Sequence, residues 1–212
     1  MSLVMALSNS NGIVISADRR VTRDPSDGKS SLLLTDNERK LFVTKSGHAI
    51  ANVGSLVLKN SKSSSSLILD IIEQLEPTLT LSQELMAIKS KLLENMFDGD
   101  YICLIGAAIE NKQQVILSMS TNSEYPKVET NALGYGAFLK GDDEKLVKIL
   151  ELFPIDALYY PIQESIEYLK FLNRTIAGFQ KYSIHLQSIS KNCDVLVIDR
   201  NGIKWASSPK WL

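Results

Sequence analysis

The chain has 212 residues, 44% of them hydrophobic and 22% charged, with a formal net charge of −1. That length suits one core and thus a single domain over 1–212, and the absent basic surplus argues against nucleic acid as a partner. No apolar run approaches the ~18 residues of a membrane span, and no basic start precedes a signal-like stretch.

Ser2 to Leu7 is a short apolar run, and Ser8 to Gly12 is turn material in which Asn11-Gly12 suits a tight hairpin. Ile13 to Ala17 is a second β-branched run, ending abruptly in Asp18, Arg19 and Arg20. Strands more often end on neutral turn residues, so three charges at a strand end ask for a reason. Arg23 to Ser31 reads as a polar surface loop. Lys40 to Val43 and Ala49 to Val53 form a second predicted hairpin, closed by Gly54-Ser55.

From Asn60 the period changes. Leu67, Ile68, Ile71, Ile72 and Leu75 mark an amphipathic helix ended by Pro77, with Ser63 to Ser66 as its solvated face. Thr80-Leu81-Ser82-Gln83 is a capping box opening a helix whose apolar face is Leu85, Ile88, Leu92 and Met96. Strands return at Tyr101 to Ile109, Gln114 to Met119 and Lys127 to Tyr135. Helices follow from Asp142 to Phe153 and from Pro161 onward, the latter breaking near Gly178 and continuing towards Ser188. A hairpin of Cys193 to Ile198 and Ile203 to Trp205 ends the chain. This order fits several α+β folds, including two stacked sheets with helices on both outer faces.

Within the early hairpin, Gly12, Val14, Ala17, Asp18, Arg20 and Thr22 form a pattern that resembles the opening of proteasome β-subunits and their bacterial relative HslV. The resemblance is strongest over residues 2–55 and faint beyond 140. It implies the four-layer αββα sandwich of N-terminal-nucleophile hydrolases. Counted back from Asp18 by the family's spacing, the nucleophile position falls on Ser2, exposed as a first residue once Met1 is removed. The free α-amine would then act as its own base, since its ordinary pKa is about 7.7–8.0. The resemblance assigns Lys40 a place beside the nucleophile, Asp18 the ion pair that holds Lys40, and the Gly54 amide the oxyanion. Arg20 and Tyr135 are expected to line the pocket, Tyr135 because Gly134-Tyr135-Gly136 stands in place of the family's Gly-Ser-Gly.

Each assignment has a plainer alternative: Ser2 as the small residue after an initiator methionine, Lys40 as an exposed strand-end cation, Gly54 as a turn glycine. The segment Gln187 to Asn192 lacks the aspartate that the family carries there. Two functions therefore stay open, hydrolysis of a peptide or amide substrate and a silent subunit acting in assembly or binding. The resemblance also implies self-association as a ring or stacked homo-oligomer. His48 and His185 stand alone without metal-ligand spacing, so neither a metal nor another cofactor is expected. Cys103 and Cys193 read as buried hydrophobes of a reducing, cytoplasmic protein.

Overall fold

The computed structural model describes residues 2–23, 32–55, 57–59, 62–141, 148–150, 160–181 and 188–207. Two five-stranded sheets dominate it. The first contains β1 (Val4–Asn9), β2 (Gly12–Asp18), β10 (Gly136–Lys140), β11 (Cys193–Asp199) and β12 (Gly202–Ser207), in the order β10-β1-β2-β11-β12. The second contains β5 (Leu41–Val43), β6 (Ala49–Gly54), β7 (Ile102–Glu110), β8 (Gln113–Ser120) and β9 (Lys127–Val128), in chain order. A separate ribbon pairs β3 (Val21–Arg23) with β4 (Leu32–Thr35). All these pairings are antiparallel. The helices are α1 (Ser64–Gln74), α2 (Leu81–Asn95) and α3 (Ile162–Lys181); residues 148–150 are helical too.

The continuous apolar run at the start of the chain is explained by burial on both faces. Alternate side chains of a strand point to opposite sides. Val4 and Ala6 join Ile13, Ile15 and Ala17 in a cluster that also takes Ala49, Ala51, Ile105 and Ala107 of the second sheet. Leu3, Met5 and Leu7 face the other way, packing with Leu169, Leu172 and Ile176 of α3. On the far side of the second sheet, Ile68 and Ile72 of α1 and Leu85, Ile88 and Leu92 of α2 cover Ile50, Leu104 and Leu117. The molecule is thus a mixed α+β fold with two sheets sharing one core cluster.

The predicted elements are adjusted in several places. β1 runs on through Asn9, where its side chain accepts from the Asn11 amide (2.9 Å), so the connection is the two residues Ser10-Asn11. The serine patch is not a solvated face. Ser63 caps α1 by accepting from the Ser66 amide, while Ser64 and Ser65 are buried. The capping box at Thr80 forms with both of its hydrogen bonds. Of the run expected over 127–135, Lys127–Val128 is strand and 131–134 is a turn; β10, which joins the other sheet, follows it. The helix α3 passes through Gly178 without a break. Of the loop expected over 23–31, Arg23 is the last residue of β3 and the rest lies outside the described residues, as do most of the helix expected over 142–153, the continuation towards Ser188, Met1, His185 and Trp211.

Candidate functional site

β2 delivers Asp18 to the end of the first sheet, where it is 1% exposed. One carboxylate oxygen, Oδ1, accepts from the Leu3 amide (2.8 Å) and from Lys40 Nζ (2.9 Å). Oδ2 accepts from the amides of Arg20 (2.9 Å) and Ser190 (3.2 Å). Four donors match the roughly four lone-pair positions of an ionised carboxylate, so this buried charge is fully compensated. The Asp18 amide in turn donates to Leu3 O (3.0 Å), closing a reciprocal pair one residue from Ser2.

Lys40 comes to Asp18 from the entry to β5. Its side chain is wholly buried in the ion pair, and Nζ also donates to the Arg20 carbonyl. Its own carbonyl accepts from Asn52 of β6 (3.2 Å), which ties the cation to the second sheet. Asp18 and Lys40, far apart in sequence and on different sheets, therefore meet beside residue 2.

Ser2 is 2% exposed. Its neighbour just past the end of β10 is Gly141, where a Cβ would overlap the Ser2 carbonyl oxygen and press on Leu3. Tyr135 does not line this place. β10 runs antiparallel to β1, with Lys140 opposite Val4 and Gly136 opposite Ser8. Tyr135 thus sits beyond Ser8, about 20 Å along the strand from Ser2 at ~3.3 Å per residue. The glycine beside residue 2 is Gly141, and an alignment on Gly134-Tyr135-Gly136 places the wrong end of β10 at the site.

Arg20 contributes through its backbone. Its guanidinium turns away to grip Asp36 with both branches (2.5 and 2.6 Å). That hydrogen-bonded contact holds the Asp36 carboxyl below its usual range and raises the guanidinium further. Arg19 pairs with Asp194, its Nε lying 3.0 Å from Oδ1. Burial pushes the Asp194 carboxyl up despite Arg19, and its Oδ2 has no hydrogen-bond partner among the described residues.

Gly54 adopts φ 125°, and a Cβ there would overlap the Tyr101 carbonyl oxygen. Its close neighbours are thus on the entry to β7. The plain reason for a glycine at this strand end is satisfied by this geometry alone.

The sequence reading gave His48 no partners. Its Nδ1 lies 2.9 Å from Glu84 Oε2 and its Nε2 3.7 Å from Glu110 Oε1, while Ser46 Oγ donates to Glu84 (2.7 Å). Glu84 is fully buried, and its place in the first turn of α2 was the available signal. Among the described residues, no group of three or more His, Cys, Asp or Glu side chains is arranged to hold a metal. Both cysteines are free, and burial pushes the thiol up in Cys103 and to about 11 in Cys193, which makes them poor nucleophiles. No helix among the described residues is long and apolar enough to cross a membrane.

No protein-family model matches the sequence, and no curated protein does. Solved structures do match. Anbu from Hyphomicrobium sp. strain MC1 superposes with a TM-score of 0.67 at 12% identity, covering 97% of this chain and 85% of that one. A Gly-1 mutant of Anbu from the same strain gives 0.64 at 14%, over 98% and 86%. Anbu from Yersinia bercovieri, named an ancestral beta-subunit, gives 0.64 at 13%, over 97% and 87%. These neighbours correct the family named from the sequence, which was the proteasome β-subunit and HslV. At this identity the likeness speaks for fold alone, and the fold is that of Anbu.

Proposed function

We propose that this chain is an Anbu-like N-terminal-nucleophile hydrolase, one domain in a four-layer αββα arrangement, that cleaves peptide or amide bonds with Ser2 after Met1 is removed. The observation that carries this reading is the buried Asp18–Lys40 pair, bonded to the Leu3 amide and so fixed against residue 2. In the proposed reaction the α-amine of Ser2 takes the proton of its own hydroxyl. The Lys40 charge favours the resulting alkoxide as it attacks the carbonyl. The Gly54 amide stabilises the oxyanion of the tetrahedral intermediate, and the amine returns the proton to the leaving nitrogen. Water then hydrolyses the ester by the same steps. No resident cofactor takes part. Free thiols fit a cytoplasmic location, and a net charge of −1 sets little repulsion against self-association into a ring or stack.

One observation favours the second reading, a silent subunit. Every acceptor position of Asp18 is already used within the fold, so the cluster has a complete structural role without chemistry.

The test compares three proteins on a pool of fluorogenic peptides: one retaining Met1, one exposing Ser2 by cleavage of a fusion, and one exposing Ala in the variant Ser2→Ala. Methionine on Ser2 turns its amine into an amide that cannot accept a proton. Hydrolysis by the exposed-Ser2 protein alone supports the first reading. Equal turnover in all three excludes Ser2 as nucleophile, and none in any favours the silent subunit.

A further inference from the structure

A cavity of about 460 Å³ opens beside the Asp18 cluster, lined by Arg19, Asp36, Asn37, Lys170, Arg174 and the Lys191 to Cys193 segment, with Ser207 at its rim. Its charge is lopsided. Arg19 is taken up by Asp194, and Asp36 by Arg20. The side chains of Lys170, Arg174 and Lys191 form no ion pair or hydrogen bond among the described residues.

Lys170 and Arg174 stand four residues apart on α3, hence on one face and about 6 Å apart along the axis. Like charges at that spacing repel and cost helix stability. Lys191 lines the cavity from a separate segment, and its backbone is pinned to α3. The buried Asn173, on the same helix, donates to the carbonyls of Ser190 (2.8 Å) and Lys191 (3.1 Å). Gln180 adds to this by accepting from the amides of Ser188 and Ile189 (both 2.9 Å). Three cations thus line one cavity on two segments that are hydrogen-bonded to each other, with Asn37 and Asn192 also in its lining.

We infer that this cavity is a binding site for a compact oxyanion, a phosphate or a carboxylate group. The anion relieves the repulsion between Lys170 and Arg174 and accepts from the guanidinium fork, whose planar donors suit both anions. The volume admits more than the anion itself, so the group belongs to a small molecule or to one side chain of a larger ligand. This inference does not depend on Ser2 being a nucleophile.

The test is calorimetric titration of the full chain with inorganic phosphate and, separately, with citrate, at low ionic strength. The variants are Lys170→Gln/Arg174→Gln, Lys191→Gln on the other segment, and Lys59→Gln/Lys91→Gln as a control that removes the same charge elsewhere. Saturable binding of at least one anion is expected, weakened roughly tenfold or more by the cavity substitutions and little by the control. Stronger phosphate binding identifies a phosphate-bearing ligand, and stronger citrate binding a carboxylate. Absence of saturable heat with both anions overturns the site, as does equal weakening by the control. Circular dichroism of the variants separates loss of binding from loss of fold.

Discussion

Two buried ion pairs begin at neighbouring residues of this chain, and they are built differently. Asp18 meets Lys40 and also takes three backbone amides, those of Leu3, Arg20 and Ser190. Asp194 meets the Arg19 side chain and leaves Oδ2 unpartnered among the described residues. The first carboxylate is a hub that joins four chain segments; the second is a pair of side chains facing each other. Burying a charge costs several kcal/mol unless hydrogen bonds replace its water. The hub meets that condition, and the pair meets half of it.

The largest expected effect comes from breaking the hub. Asp18→Ala leaves Lys40 buried without its counter-charge and strips three amides of their acceptor. The expected loss is about 3–5 kcal/mol in chemical denaturation, where a loss under 1 kcal/mol would mean that water replaces Asp18 cheaply.

Double replacements sharpen the contrast. Arg19→Leu with Asp194→Leu is expected to stay within about 1 kcal/mol of the parent, since apolar residues often replace a buried pair without loss. Asp18→Leu with Lys40→Met is expected to remain destabilised by several kcal/mol, because each orphaned amide costs about 1–3 kcal/mol. Equal outcomes for the two doubles, read by the same denaturation curves, would erase the distinction.

Proton uptake separates the pairs next. The Asp194 carboxyl is raised in the folded state by burial, so the native protein binds the proton more tightly than the unfolded chain there. Stability from this group therefore falls as pH rises from about 4, the unfolded value, through the folded value. Arg19→Leu removes the contact that holds the value down. Its deficit is expected to be largest at neutral pH and to shrink towards pH 5 in thermal melts.

The smallest effect belongs to the half-exposed Arg20–Asp36 pair. The carboxyl there is lowered by its hydrogen-bonded guanidinium, so its contribution is present above pH about 4 and lost as pH falls through the lowered value. Asp36→Asn is expected to cost less than about 1 kcal/mol, and less still in high salt, by the same melts.

Much of this was legible in the sequence because it is local. The hairpin of β1 and β2, the capping box at Thr80 and the one-face burial of α1 and α2 follow from turn chemistry and period. The meeting of Asp18 and Lys40 came from a resemblance, and periodicity alone did not contain it. What escaped was non-local or backbone-borne. β10 lies past the run read over 127–135 and was missed, and only pairing with β1 assigns it to the first sheet. Gly141 looks like any loop glycine until the Ser2 carbonyl is beside it. The partners of His48 are 36 residues away at Glu84 and further still at Glu110, where no spacing rule reaches. The amides of Leu3 and Ser190 carry no side-chain signature, so their part in holding Asp18 was invisible.

The reciprocal bonds between Leu3 and Asp18 have a bearing on how such a site changes over time. They grip the main chain one residue past Ser2, and no part of the grip uses the side chain of residue 2. Position and chemical identity are thereby decoupled. A hydroxyl, a thiol or a bare methyl at residue 2 would all be presented by the same clamp. On the proposed chemistry, a single substitution at residue 2 would change reactivity while the architecture that frames it stays intact.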